Sequence, residues 1–433
     1  MIIKNIHLVN PATGYDDIAD IIIDGSKIKA IGKNISSDYD LSTKEDAVEE
    51  IIDGTGLVCA PGLMDVHVHF RDPGFTHKED ILTGAKAAAA GGFTTVVLMA
   101  NTKPAVDNID TLSYVLNKGK ETDINVYTVA NVTKGLKGEE LTDFETLKNA
   151  GACGLSDDGI PIMDAKLLED AFLQAKKLKL PVSLHEENPN LITNNGINAG
   201  KISELLGIGG SPRDAEISMI TRDIEIAKAT GVELNIQHIS TKEGVELIRE
   251  ARKTHKNIHA EATPHHYTLT EEAVLDNGTL AKMNPPLRLE SDRLAIIEGL
   301  KDGTIELIAT DHAPHAKEEK EQEITKAPSG ILGLETALAL GITELVHKGY
   351  ISISDLIDKM SVGPAKLYNL QDKVCSVESG RNADLVIFDM NESFAINRFL
   401  SKSQNSPFKD VELKGKVKYT ICNGKVIYAD GKN

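Results

Sequence analysis

Eight short apolar runs of β type recur between residues 62 and 309 of the chain. They are Gly62 to Val66, Phe93 to Met99, Ile124 to Val129, Ala152 to Leu155, Pro181 to Leu184, Val232 to Ile236, Asn257 to Ala260 and Thr304 to Ala309. Between them lie segments of helical period, such as Lys78 to Ala90, Ala165 to Leu178 and Ser211 to Ala229. Strands this apolar are buried on both faces, so the alternation predicts an α/β fold, a (β/α)8 barrel of the TIM type. The alternative is a doubly wound open sheet. That fold usually brings a glycine-rich phosphate loop after its first strand, and none follows Val66.

The two ends have a different texture. Ile2-Ile3, Ile21 to Ile23 and Ile28 to Ile31 are β-branched runs punctuated by Asp24-Gly25 and Asp53-Gly54. Ala383 to Phe388 and Val417 to Ile421 read as strands, and Asn423-Gly424 is a hairpin signal. The ends together predict a small β-sandwich domain, residues 1–58 with 375–433, beside a barrel domain of residues 59–374.

A hydrophobic share of 41% with 26% charged residues fits a soluble globular enzyme with a large core. No apolar run approaches the roughly 18 residues of a membrane span, and the first residues lack the pattern of a signal peptide. The expected location is cytoplasmic. A formal charge of -18 argues against binding a phosphate backbone, which needs clustered Lys and Arg. Cys59, Cys153, Cys375 and Cys422 are far apart and form no CxxC pair, so they read as small buried hydrophobes.

Asp65-Val66-His67-Val68-His69 closes the first run. Residues two apart on a strand share a face, so His67 and His69 point the same way. Imidazole is the commonest zinc ligand, yet a lone HxH often arises by chance. The other candidates strengthen it. Asp157-Asp158 follow the fourth run, His185 ends the fifth, His238 the sixth and Asp311 the eighth. Barrel enzymes gather their chemistry at this edge, and independent structural histidines have no reason to share it. Four histidines and two carboxylates exceed the needs of one tetrahedral zinc and suit two Zn2+ ions. His67, His69 and Asp311 would hold one, His185 and His238 the other, with Asp158 between them. Asp157 is a rival for the bridge, since strand geometry lets only one of the pair face inward.

These residues carry a family pattern. Pro61 to Arg71 resembles the opening motif of cyclic amidohydrolases, and Ala309 to His315 the closing motif of dihydroorotases and allantoinases. With Ser156-Asp157-Asp158-Gly159 and Lys282 to Arg288, the chain resembles the class I dihydroorotases over nearly its whole length. The resemblance implies Asp158 as the bridge, where related enzymes carry a carboxylated lysine, and Ala152 to Gly159 contains no lysine. It implies substrate contacts at His69, Arg71, Asn101, Asn284, His315, Ser329 and Gly330, and a mobile loop over residues 315–330. Two positions depart from the family: Ala100, where proline is usual, and Ser329, where an aromatic residue often stands.

The implied activity is the reversible, zinc-dependent closure of N-carbamoyl-L-aspartate to L-dihydroorotate, with Asp311 as ligand and proton shuttle. Arg71 is the natural bidentate partner of a substrate carboxylate, although on spacing alone a structural ion pair with a rim acid serves equally. His315 could instead cap a loop. The charged stretch Lys317 to Glu321 reads as a solvated helical turn without apolar anchors, which predicts mobility. His265-His266 reads as packing or support rather than metal ligation. The resemblance also implies a homo-oligomer and leaves open an association with aspartate transcarbamoylase. Alternatives are a hydantoinase, dihydropyrimidinase or allantoinase, and a non-catalytic dihydroorotase-like subunit that has lost its metal.

Overall fold

The computed structural model describes residues 1–35 and 50–431. Five strands open the chain: β1 (Ile2–Asn10), β2 (Tyr15–Asp24), β3 (Lys27–Gly32), β4 (Ile51–Asp53) and β5 (Val58–Pro61). Three parallel strands follow, β6 (Leu63–Val68), β7 (Phe93–Leu98) and β8 (Asn125–Thr128), and then four more, β9 (Val182–Leu184), β10 (Leu234–Ile236), β11 (Ile258–Ala262) and β12 (Leu307–Ile308). The last three are β13 (Leu385–Phe394), β14 (Leu413–Cys422) and β15 (Lys425–Ala429).

Both ends of the chain enter one eight-stranded sheet in the order β15-β14-β13-β5-β1-β2-β3, with β4 against β1. Strand β5 lies at its seam, parallel to β1 and antiparallel to β13. The Asn423-Gly424 turn has positive φ at both residues, 49° and 75°, which the twist of a tight hairpin requires. A separate apolar cluster fills this unit, including Ile3, Ile6, Ile21, Leu385 and Ile421.

The middle of the chain holds two parallel sheets, β6-β7-β8 and β12-β11-β10-β9. Every residue of β6 and β7 is buried, as expected for strands covered on both faces. The expected fourth run forms no strand. Leu155 alone forms bridges, to Ala130 on one side and Val182 on the other, with Cys153 N also donating to Thr128 O at 3.1 Å, and these contacts join the two sheets. At the opposite edge Val68 bridges His312, whose carbonyl accepts from His69 N at 2.9 Å.

Helices run between the strands. Ala165–Leu178 spans the stretch that its periodicity predicts; Asp164 caps its start and Lys179 in left-handed conformation its end. Ile81–Ala90 begins at Asp80, whose carboxylate accepts from Thr83 N in a capping box, a device that contributes about 1 kcal/mol. Among the described residues no helix is long and apolar enough to cross a membrane. The four cysteines are all free.

Candidate metal centre

The C-terminal ends of the parallel strands and the loops after them converge on a buried cluster of imidazoles and carboxylates. His67 lies in β6 and His69 just beyond it; His185 follows β9, His238 follows β10, and Asp311 follows β12. Three sets of donors stand close enough to share an ion: His67 with His69 and Asp158, His67 with His238 and Asp311, and Asp158 with His185 and His238. Within each set the donor atoms lie within 4.8 Å of one another. Asp158 thus joins the two sides of the cluster.

The contacts are close. His67 Nε2 stands 3.4 Å from Asp158 Oδ1 and 3.5 Å from Asp311 Oδ1. His69 Nε2 stands 3.4 Å from Asp158 Oδ2 and 3.0 Å from Asp311 Oδ1. His185 Nδ1 faces His238 Nε2 at 3.0 Å. Lone pairs converging at this range repel unless protons or cations lie among them. His67 Nε2 is also buried without a hydrogen-bond partner among the described residues, although buried polar atoms rarely go unpaired. Nitrogen and carboxylate donors in this number fit a borderline-soft divalent metal.

Electrostatics follow from the packing. Burial works against charge on His67, but the carboxylates of Glu261, Asp158 and Asp311 outweigh it and hold the ring well above the usual histidine range. Asp158 is likewise desolvated, yet His67, His69 and His185 hold its carboxyl well below the usual range. His238 is pushed well down by burial and by His185 and His67. The backbone is strained here too. Arg71, His238 and Asp311 have φ of 59°, 32° and 49°. Left-handed backbone at a residue other than glycine costs of order 1–3 kcal/mol and collects at functional sites.

Asp157 and Asp158 point to different partners, although their segment forms no strand. Asp157 turns to accept from Val132 N, Thr133 N and the Thr133 hydroxyl, while Asp158 faces the histidines. Asn101 bonds the donors themselves: its Oδ1 lies 3.0 Å from His69 Nδ1, and its Nδ2 donates to Asp158 Oδ2 at 3.0 Å. Asn284 Nδ2 lies 3.4 Å from His185 Nε2, and its Oδ1 is buried and unpartnered among the described residues.

Arg71 has no carboxylate within 4.0 Å among the described residues. Its Nε donates to Pro314 O at 3.2 Å, and burial lowers its pKa. His315 Nε2 sits 2.8 Å from Ser329 O and 3.4 Å from an Arg71 terminal nitrogen. Burial and the nearby Arg71, Lys78 and Lys320 push its pKa down to about 2, so the ring is neutral. Gly330 has φ of 132°, and a Cβ there would stand 2.8 Å from that of Ala313. The Ser329 hydroxyl donates to Asn195 Oδ1 at 3.4 Å and makes no contact with the cluster.

The 315–330 segment differs from the free, unanchored loop its charge suggests. Lys320 is buried and donates to Pro328 O at 2.9 Å and Gly330 O at 3.2 Å; Lys78 pairs with Glu319 at 2.8 Å; Ala327 is buried. Burial pulls the Lys320 ammonium down to about 7. His266 is held by Thr263 and by Pro285 O, and no donor set among the described residues includes His265 or His266.

Sequence reasoning passed over Glu261. Its Oε1 lies 2.5 Å from His67 Nδ1 and its Oε2 accepts from Asn235 Nδ2 at 2.9 Å. A glutamate between two alanines at the end of an apolar strand was the available signal.

The dihydro-orotase-like family model matches residues 56–244. The dihydroorotase of Clostridioides difficile (strain 630) is 55% identical over 428 residues, 99% of each chain. That of Clostridium acetobutylicum is 49% identical over 432 residues, 99% of this chain and 100% of the relative. That of Lactococcus lactis subsp. lactis is 50% identical over 429 residues, 99% of each. Among solved structures, the L-hydantoinase (dihydropyrimidinase) of Arthrobacter aurescens superposes with a TM-score of 0.87 at 25% identity, covering 100% of this chain and 96% of the other. The dihydropyrimidinase of Brevibacillus agri NCHU1002 shares the fold, with a TM-score of 0.84 at 24% identity over 99% and 95% of the two chains. With relatives this similar from end to end, the chain belongs to the dihydroorotase family of the amidohydrolase superfamily.

Proposed function

We propose that this chain is a dihydroorotase that opens L-dihydroorotate to N-carbamoyl-L-aspartate and, in the biosynthetic direction of pyrimidine synthesis, closes it. The observation that carries the reading is Arg71, a half-buried guanidinium with no carboxylate within ion-pair reach among the described residues, beside the histidine–aspartate cluster. Dihydroorotate brings the carboxylate that such a fork fits; hydantoins, dihydropyrimidines and allantoin do not.

The donor set supports two zinc ions. His67, His69 and Asp311 would hold one, His185 and His238 the other, with Asp158 shared, since its two oxygens face His67 and His69 and it also stands in a donor set with His185 and His238. Bound zinc supplies a water acidic enough to attack near neutral pH and polarises the carbonyl under attack. Asp311 would take the proton of the attacking water on its carboxylate as the C–O bond forms, most readily on the oxygen not turned to His67 and His69, and pass it to the ring nitrogen as the C–N bond breaks. Glu261 holds the proton of His67 on Nδ1 and so leaves Nε2 free as a donor. Asn101, which bonds both His69 and Asp158, keeps those two groups oriented. Arg71, with His315 beside it and Asn284 at His185, orients the substrate, and residues 315–330 keep bulk water out; Gly330 lets its segment pack close against Ala313 and His315, and Ser329 lies at the margin.

The parallel sheets and their single bridges support one closed (β/α)8 barrel, residues 59–374; beside it the expected β-sandwich domain, residues 1–58 with 375–433, has its strands in one mixed sheet, whose β5 strand runs on to Pro61. Residues 36–49 of that domain lie outside the described residues. A cytoplasmic homo-oligomer is the arrangement we expect, with association with aspartate transcarbamoylase left open, and sedimentation of the chain alone and with that enzyme tests both.

The function is tested by turnover of L-dihydroorotate beside hydantoin, dihydrouracil and allantoin, using zinc-loaded protein. Preference for the carboxylated ring supports the reading. No turnover of dihydroorotate in either direction defeats it, and faster turnover of an uncarboxylated ring replaces it with a hydantoinase-like activity.

A further inference from the structure

The connection between β13 and β14 sends a polar segment, residues 399–406, back to the rim of the metal centre. It does not behave as a surface loop. Phe399, Ser401, Ser403, Asn405 and Ser406 are all buried. The backbone amides of Leu400 and Ser401 donate to the Glu335 carboxylate, and the Ser401 hydroxyl donates to Glu79.

At the end of this strap stands Asn405, which uses every polar group of its side chain. Its Oδ1 accepts from His315 N at 3.0 Å, and its Nδ2 donates to Ala313 O at 3.0 Å and Gly330 O at 3.1 Å. Its backbone carbonyl accepts from Leu332 N at 2.9 Å. One buried amide therefore ties the two chain ends of the 315–330 segment together. It also clamps Ala313 and His315 on either side of Pro314, whose carbonyl receives Arg71 Nε.

We propose that Asn405 is a positioning residue for substrate binding: it fixes the Ala313–His315 stretch on which the Arg71 guanidinium rests, and sets Gly330 opposite. The inference rests on the reading of Arg71 as partner of the substrate carboxylate. The geometry demands an amide. Aspartate keeps the acceptor for His315 N but turns oxygen against the carbonyls of Ala313 and Gly330, and alanine removes all three bonds.

Full-length, zinc-loaded Asn405→Ala and Asn405→Asp are compared with wild type. Misplacing a binding group by a fraction of an ångström is expected to raise KM for L-dihydroorotate about tenfold or more, with kcat within about threefold and zinc content unchanged. In a double-variant cycle, adding Asn405→Ala to Arg71→Ala should raise KM little further, because both act through one guanidinium. Trypsin cleavage after the exposed Lys317 and Lys326 should quicken about tenfold, a readout independent of turnover. Unchanged KM overturns the proposal, whether or not cleavage quickens, and so do a fall in kcat at constant KM and fully additive KM effects in the cycle. If wild type leaves dihydroorotate untouched, the functional reading fails, and unchanged cleavage would then defeat the clamp as well. If Asn405→Ala does not fold, Asn405→Asp and Asn405→Gln decide by the same criteria.

Discussion

Glu261 Oε1 lies 2.5 Å from Nδ1 of His67, deep beneath the donor cluster and 194 residues away in sequence. The pair decides which imidazole nitrogen is free to meet a cation. With Nδ1 engaged by the carboxylate, Nε2 is the nitrogen that faces Asp158 and Asp311, and a bound cation would take the place of any proton there. Asn235, donating to the other Glu261 oxygen, keeps the carboxylate from rotating away.

Glu261→Gln should therefore weaken metal binding while the fold survives. Loss of such a supporting carboxylate typically costs 10–100-fold in metal affinity. Titration against a competing chelator checks this, with activity expected to recover in excess zinc. Affinity equal to wild type would show that His67 needs no orienting partner.

Asp311→Asn keeps the shape of the side chain and removes its basicity. A fall in kcat of about 10²–10⁴-fold is expected at nearly constant KM, the usual scale for a lost general acid–base group. Zinc content must be measured alongside, so that loss of metal is not mistaken for loss of the proton shuttle. A variant with metal bound and more than a tenth of the wild-type rate contradicts the assignment.

Arg71→Lys keeps the charge but loses the fork. One charge-assisted hydrogen bond is worth about 1.5–3 kcal/mol, so kcat/KM for L-dihydroorotate should fall about 10–100-fold, mostly in KM. Product inhibition by carbamoyl-aspartate should weaken in parallel. If KM is unaltered, the substrate carboxylate is bound elsewhere.

Glu335 gives a pH prediction. Burial pushes its carboxyl up to about 7, against the hydrogen bonds from Leu400 and Ser401 that favour its charge. The folded-state pKa lies above the unfolded value of about 4.5. Its favourable contribution is therefore complete below about pH 4.5 and is lost as pH rises through 7. Glu335→Gln does not titrate, so its Tm relative to wild type should rise between pH 5 and pH 8 (about those values) by a few degrees. A difference in Tm that stays flat over that range would refute the shifted pKa.

What the sequence disclosed follows the range of the interactions involved. The helix Ala165–Leu178 and the shared face of His67 and His69 depend on neighbours a few residues away, and periodicity reports them. The choice between Asp157 and Asp158 depends on where one residue of a single-bridge segment points, which alternation alone left open. Lys320 read as solvated because buried lysines are rare; only carbonyls of Pro328 and Gly330 brought round by the chain make its burial tolerable. The strap at 399–406 looks like a linker, since Ser-Lys-Ser-Gln-Asn has no apolar period. Its partners Glu79, Ala313, His315 and Gly330 lie 75 to 322 residues away.

In the proposed site, imidazoles and carboxylates from separate strand ends grip a pair of cations around Asp158. Anomalous diffraction at the zinc edge from crystals of the zinc-loaded protein tests it most directly. Two peaks should appear, one between His67, His69 and Asp311 and one at His185 and His238, with Asp158 between them. Zinc bound away from these residues, or a single ion that leaves His185 and His238 without metal, would contradict the account.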